Sequence, residues 1–182
     1  MPYLCNCKVK IAKRHYLMNT NLILKRPIHL AHEARREKES VRRLLTFERF
    51  ARDNQLWDEM LTCYVPGAKI HASWFDGSID DFAAAMAKRT DHIPYHNHST
   101  LVWTHSNRAV AIMDTTFQVK VEINGTILNQ TAESQYLYRL VRINGEWYIQ
   151  DCTTILEELP GKSRPEYITS LYEEADQWLQ KG

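Results

Sequence analysis

The sequence predicts an α+β domain in which an antiparallel sheet follows a mainly helical first half. Two Asn-Gly pairs, at 124–125 and 144–145, each join two extended stretches with alternating apolar residues. Asn-Gly readily adopts the positive φ angles of a type I′ turn, the turn that links the two strands of a hairpin. Before residue 90, apolar residues recur mostly at helical spacing. Helices and strands that are segregated along the chain, rather than alternating, are typical of the α+β class.

The first half of the chain predicts three helices with one strand among them. Val41, Leu44, Leu45 and Ala51 form an apolar stripe, and basic residues that include Arg49 fill the opposite, solvated face. Turn and cap residues set the limits of the elements: Pro66-Gly67 ends the second helix, and Ser78 (or Asp80) caps the third. The helices are predicted at 31–53, 55–64 and 80–88, and the strand at 68–74.

The second half predicts a meander of four strands and a final helix. The strands span 95–105, 108–123, 126–142 and 146–155, and an amphipathic helix at 166–179 packs on the body or on a partner subunit. We therefore expect three segments: an N-terminal extension (1–30), an α+β domain (31–157) and a C-terminal helical extension (158–182). The first segment is expected to be a disordered or partner-packed tail, with a basic arm that binds a polyanion as the alternative.

Composition narrows the class of protein. The 182 residues carry 23 basic and 22 acidic side chains, so the overall charge indicates neither a nucleic-acid partner nor a membrane surface. The four cysteines lack the spacing of a zinc site and favour a reduced, cytoplasmic chain. No apolar run approaches the length of a membrane span.

Several short segments, in this order and at this spacing, carry a resemblance to a known superfamily. They are Ala51–Met60, the strand followed by Gly77 and the helix at 80–88, His96-x-His98, Asn107-Arg-Ala109 and Tyr138–Ile149. Over residues 35–157 the chain resembles the nuclear transport factor 2-like superfamily, in its SnoaL-like and scytalone dehydratase-like branch. The resemblance implies a curved antiparallel sheet that forms a cone around a deep pocket, wrapped by three N-terminal helices, and a homodimer that pairs sheet against sheet.

The resemblance also implies a catalytic pair. A histidine at the entry to the sheet is the general base in the dehydratases, which places His98 first and His96 second here, with Asp53 as the orienting partner. Imidazole suits this role because its pKa lies near neutrality. Two histidines on one strand face could instead hold a metal, but no third ligand is evident, and neither a metal nor a cofactor is expected. The structural alternatives are a helix cap for Asp53 and an exposed loop for one histidine.

The chain departs from the dehydratase pattern where the carbonyl-polarising tyrosines belong, because those positions hold Glu48 and Arg52. Another tyrosine could take over this role. Asp151 shares the inward parity of Trp147 and Ile149 on its strand and is a candidate pocket acid. The candidate substrate-binding residues are Tyr64, Trp74, Trp103, Phe117, Tyr136, Tyr138, Trp147 and Asp151. Trp74, Trp103, Phe117 and Trp147 would suit an apolar, ring-shaped ligand and would equally well fill a core.

Two functions of different class follow. The first is a cofactor-independent lyase (dehydratase) or isomerase that transfers a proton on a small apolar, oxygenated or cyclic molecule. The second is a non-catalytic small-molecule-binding or dimerisation module of the same fold, which the missing tyrosines favour.

Overall fold

A computed structural model describes residues 32–72, 74–89, 95–123, 126–156 and 166–182. The elements in chain order are α1 (His32–Asp53), α2 (Trp57–Leu61), β1 (Tyr64–Ala72), β2 (Phe75–Ser78), α3 (Ile79–Ala87), β3 (Tyr95–His105), β4 (Arg108–Ile123), β5 (Thr126–Ile143), β6 (Glu146–Leu156) and α4 (Glu166–Gln180). The predicted α+β class is confirmed, as are the positions of α1, α3, α4 and the four meander strands. The predicted N-terminal extension and the turn at 124–125 lie outside the described residues.

The six strands form one curved sheet that does not close, in the order β2-β1-β6-β5-β4-β3. Pairing within the meander is antiparallel, as predicted. β1, however, runs parallel to β6, with Ile70 opposite Cys152, so the sheet is mixed rather than wholly antiparallel. The meander turns determine only the pairing of neighbours in sequence, whereas β1 joins the last strand of the chain.

The second helix is shorter than predicted, and Tyr64 belongs to β1 instead. Pro66-Gly67 lies within that strand and does not end a helix. The pairing register with β6 shifts between Tyr64 and Lys69, and Gly67 has a φ of 74°. A bulge accommodates both residues because it leaves a backbone position unpaired and allows the left-handed conformation. The earlier start of β1 places the Tyr64 side chain in the core, 5% exposed.

Two local predictions of turn and cap chemistry are confirmed. Asn144 and Gly145 have φ angles of 52° and 89°, the signs that a type I′ hairpin turn requires. Ser78 caps α3, because its hydroxyl accepts a hydrogen bond from the backbone N–H of Asp81 at 3.1 Å.

Apolar residues pack on both sides of the sheet. On the inner side, α1, α2 and α3 enclose the main core with residues that include Leu45, Met60 and Phe82. On the outer side, Ile168, Ala175 and Leu179 of α4 pack in a second cluster that includes Val110, Leu137 and Ile155 from the sheet. The final helix therefore packs on the body of the domain, which is one of the two positions predicted for it. No helix in the described parts of the chain combines the length and apolarity needed to cross a membrane.

Candidate functional site

A cluster of charged side chains lies in the main core, where α1 faces the inner side of the sheet. Glu48 is 0% exposed, Arg49 1% and Arg52 8%. Charged residues are seldom buried to this extent unless they are paired, because burial removes their hydration. Three of them within two turns of one helix therefore mark this region as the candidate site.

Glu48, Arg52 and Tyr64 form a closed triangle of hydrogen bonds. Arg52 donates to Glu48 Oε1 from Nε at 2.8 Å and also from Nη2. The Tyr64 hydroxyl donates to the same carboxylate oxygen at 2.8 Å and accepts from Arg52 Nη2 at 2.8 Å. Three donors thus converge on Oε1, whereas the buried Oε2 has no hydrogen-bond partner.

Arg49 lies between two tyrosine rings. Its guanidinium carbon is 5.0 Å from the centre of the Tyr95 ring and 4.9 Å from that of Tyr136. Its Nη2 donates to Asp53 Oδ1 at 3.2 Å, one helical turn away. The two remaining nitrogens, Nε and Nη1, are buried without a hydrogen-bond partner. Arginine keeps its charge at any accessible pH, so a cation with free donors is a permanent feature of this core.

Tyr138 contributes another free donor. Its side chain is fully buried, and its hydroxyl has no hydrogen-bond partner. Burial raises the pKa of Tyr138 well above its usual value, and the nearby Cys152 and Glu48 add to the increase, against the effect of Arg49. The hydroxyl therefore stays protonated and can donate a hydrogen bond at neutral pH.

Asp53 and His98, two of the predicted catalytic residues, have different hydrogen-bond partners. His96 and His98 are exposed on β3, and Nε2 of His98 lies 3.1 Å from the hydroxyl of Thr116. Asp53 accepts a hydrogen bond from Arg49, and the described parts of the chain show no hydrogen bond between Asp53 and either histidine. In the described parts of the chain, no group of three or more His, Cys, Asp and Glu side chains is arranged to hold a metal ion. The catalytic roles of these three residues stay predictions.

The predicted orientation of Asp151 is wrong. The β5–β6 register pairs Arg139 with Asp151 but Leu140 with Ile149, so Gln150 is an extra residue on β6. Such a bulge reverses the alternation, which turns Asp151 away from the face of Ile149. The carboxylate instead accepts a hydrogen bond from Arg139 Nε at 2.8 Å. Burial raises the pKa of Asp151 even though Arg139 opposes the shift.

The predicted aromatic residues fall into two groups. Tyr64, Tyr136, Tyr138 and Trp147 belong to the main core, and Tyr64, Tyr136 and Tyr138 contact the charged cluster or interact electrostatically with it. Trp147 also donates from Nε1 to Glu37 at 2.9 Å.

Of the other three aromatics, Trp74 and Phe117 pack against further rings and Trp103 packs with α4. Trp103 packs in the outer cluster with α4, and Trp74 is 48% exposed beside Phe75. Phe117 contacts the ring of Tyr95, at 5.1 Å between centres.

Sequence reasoning missed Arg49 as a site residue and placed it on the solvated face of α1. A signal was present, because Val41, Leu45 and Arg49 recur at intervals of four, which continues the buried stripe into a charged residue. The sequence identifies Glu48 and Arg52 as departures from the dehydratase pattern, and it places Glu48 on the apolar stripe of α1. The structure shows that these two residues hydrogen-bond each other and Tyr64.

The chain has the nuclear transport factor 2-like fold, also called cystatin-like. It superposes with a TM-score of 0.54 on a candidate scytalone dehydratase from Novosphingobium aromaticivorans, covering 70% of this chain and 89% of that one at 13% identity. The association domain of C. elegans CaMKII gives a TM-score of 0.55, with 69% and 99% covered at 12% identity. Structural similarity at such low sequence identity establishes a shared fold, but it does not establish a shared function.

In sequence, the chain is 26% identical over 103 residues to Pea pathogenicity protein 2 of the fungus Fusarium vanettenii. The match covers 53% of this chain, and the chain spans 44% of the length of that relative. No family model matches the sequence.

Proposed function

We propose that the inner side of the sheet binds a small oxygenated organic molecule and catalyses a proton transfer on it. The observation that carries the proposal is the set of unsatisfied polar atoms in one buried cluster: Arg49 Nε and Nη1, the Tyr138 hydroxyl and Glu48 Oε2. Buried polar groups in folded proteins nearly always have partners, and each exception calls for an explanation. A bound ligand that provides hydrogen-bond acceptors and donors would explain why these buried atoms lack partners in the described parts of the chain.

The donors suit an oxygen that gains negative charge during the reaction. Arg49 presents only N–H donors, and the Tyr138 hydroxyl, which is protonated at neutral pH, can donate as well. Donors held in place in a site without water stabilise an enolate oxygen strongly, and removal of one such donor lowers turnover by about 100-fold to 1,000-fold in known enzymes. Arg49 is held by its two ring contacts and by Asp53, which we therefore assign as a positioning residue.

The free oxygen of Glu48 supplies a base for the same reaction. In a β-hydroxy ketone, Oε2 takes the proton from the carbon α to the carbonyl, and the electron pair moves to the carbonyl oxygen held by Arg49 and Tyr138. The enolate then collapses and breaks the bond from the β carbon to its hydroxyl. The departing hydroxide takes the proton back from Glu48 and leaves as water. The step balances without a cofactor and yields an unsaturated ketone.

The decisive variant is Tyr138→Phe, because removal of the hydroxyl should lower turnover without lowering stability. Removal of a buried hydroxyl without a partner should leave stability unchanged or raise it by about 1 kcal/mol. If the hydroxyl contacts the ligand, dehydration should slow by about 100-fold or more. We would follow conversion of 3-hydroxycyclohexanone and 3-hydroxy-1-tetralone to their enones by absorbance, with urea unfolding of the same samples.

The matched control is Tyr148→Phe, which removes an exposed tyrosine hydroxyl bonded only to Glu146. It should change neither turnover nor stability. His98→Ala in the same assay tests the predicted histidine base: loss of turnover in that variant alone, with Tyr138→Phe fully active, would replace our assignment with the histidine. Absence of both turnover and binding across the ketone set would reject the proposed function.

A non-catalytic homodimerisation module is the second candidate. It is favoured by the likeness to the CaMKII association domain and by the complete burial of Tyr138 and Glu48 beneath the helices of this chain. It predicts a dimer by light scattering and no ketone binding. Tyr138→Phe would then be more stable than the natural chain, with the same self-association.

A further inference from the structure

A separate groove lies where α1 passes the edge strand β3. It has a volume of about 320 Å³ and is partly open to solvent. That volume is at the lower end of the range for pockets that bind small molecules. Its lining comprises Arg35, Lys38, Glu39 and Arg42 from α1 and Leu101, Val102 and Trp103 from β3.

The two walls differ in chemistry. The helical wall presents three cations at positions 35, 38 and 42, a spacing that places them on one face of α1. Its single acid, Glu39, lies 3.8 Å from Arg42 and 3.5 Å from Arg43, so it is already surrounded by cations. The strand wall is apolar, and Leu101 is 50% exposed there.

Lys38 is the feature that points to a ligand. The residue is only 6% exposed, yet it forms no hydrogen bond or ion pair with any residue in the described parts of the chain. Lysine is almost never buried unless it is paired. Burial, together with the neighbouring charge of Arg42, lowers the pKa of Lys38. An anion in the groove would provide the missing partner.

We propose that this groove binds a small amphipathic organic anion: one carboxylate, sulfonate or phosphate group on a body of ring size. The charged group lies against Lys38 and Arg35, and the apolar body lies on Leu101 and Trp103. The inference does not depend on the function proposed for the cone, since the groove shares no residue with the buried cluster.

The test uses naphthalene-2-sulfonate and its uncharged analogue naphthalene-2-sulfonamide as probes, with affinities measured by calorimetry. The sulfonate should bind at least about tenfold more tightly than the sulfonamide, because a charge-assisted contact to a lysine in a partly enclosed groove is worth that factor or more. Lys38→Met should remove this preference. The matched control is Arg43→Met, which removes a cation that is 80% exposed on the same helix and lines no part of the groove.

A second variant keeps the inference testable if Lys38→Met does not fold. Leu101→Asp places a negative charge at a half-exposed position of the apolar wall, and it should abolish sulfonate binding. Circular dichroism and melting of each variant verify folding. Equal affinity for the two probes, unchanged binding in both groove variants, an equal loss in Arg43→Met, or no binding at millimolar sulfonate would each overturn the proposal.

Discussion

Replacing Glu48 by Gln tests whether the buried cluster depends on its one carboxylate. The substitution keeps the shape and an oxygen acceptor but removes the charge that three donors from Arg52 and Tyr64 share. A hydrogen bond to a charged group contributes about 1.5–3 kcal/mol, roughly twice a neutral one. If the contribution of each of the three hydrogen bonds falls by half, the total loss is about 2–4 kcal/mol, which is close to the cost of breaking a buried ion pair. For a chain of this size, the melting temperature should fall by about 6–12 °C.

The assay is urea unfolding at neutral pH, with Glu39→Gln as the control. Glu39 lies on the same helix and faces Arg42 and Arg43, but its side chain is 53% exposed, so its loss should cost no more than about 0.5 kcal/mol. A Glu48→Gln loss below about 1 kcal/mol would refute the reasoning. The double variant Glu48→Leu/Arg52→Met should lose less than the sum of the single variants, because it leaves no unpaired partner.

Three further predictions concern pH, thiols and a turn. Because burial raises the pKa of Asp151, this residue stabilises the protein below its unfolded pKa of about 4, and that stabilisation is lost as the pH rises through the folded pKa. Asp151→Asn should reduce this loss of stability with rising pH. An unchanged pH profile of the free energy of urea unfolding would contradict the prediction. Burial raises the pKa of Cys63 to about 11 and of Cys152 to about 12, so in a background without cysteines 5 and 7 a chromogenic disulfide reagent should label neither thiol until the protein is unfolded. Gly145→Ala should cost about 1 kcal/mol in urea unfolding because of the φ of 89°, and a loss within error would argue against the turn.

Most elements of the fold could be predicted because local signals determine them. The Asn144-Gly145 turn, the Ser78 cap and the alternation along β4 depend on residues close together in the chain. The parallel pairing of β1 with β6 could not be predicted in this way, because it joins distant parts of the sequence. No local pattern distinguishes the two directions in which β1 could add to the sheet.

The candidate site was predicted less well, because periodicity gives a face but does not detect irregularities. One extra residue at Gln150 moved Asp151 to the other side of the sheet. Arg49 was assigned to solvent because arginine is usually exposed, although its spacing from Leu45 put it on the buried stripe. Tyr64, Tyr136 and Tyr138, which the sequence predicts as substrate-binding residues, lie in the main core, but their link to Glu48, Arg49 and Arg52 required coordinates.

The place of β6 between β1 and β5 has a consequence for how the protein is made. β6, which joins the β1–β2 hairpin to the meander, is the last of the six strands to be synthesised. Until it is made, β1 and β5 each have an unpaired edge. Such edges recruit other strands, and contacts between distant residues form slowly. Chains that stop short of residue 146 would therefore offer two open edges, and they should aggregate rather than accumulate as a folded fragment.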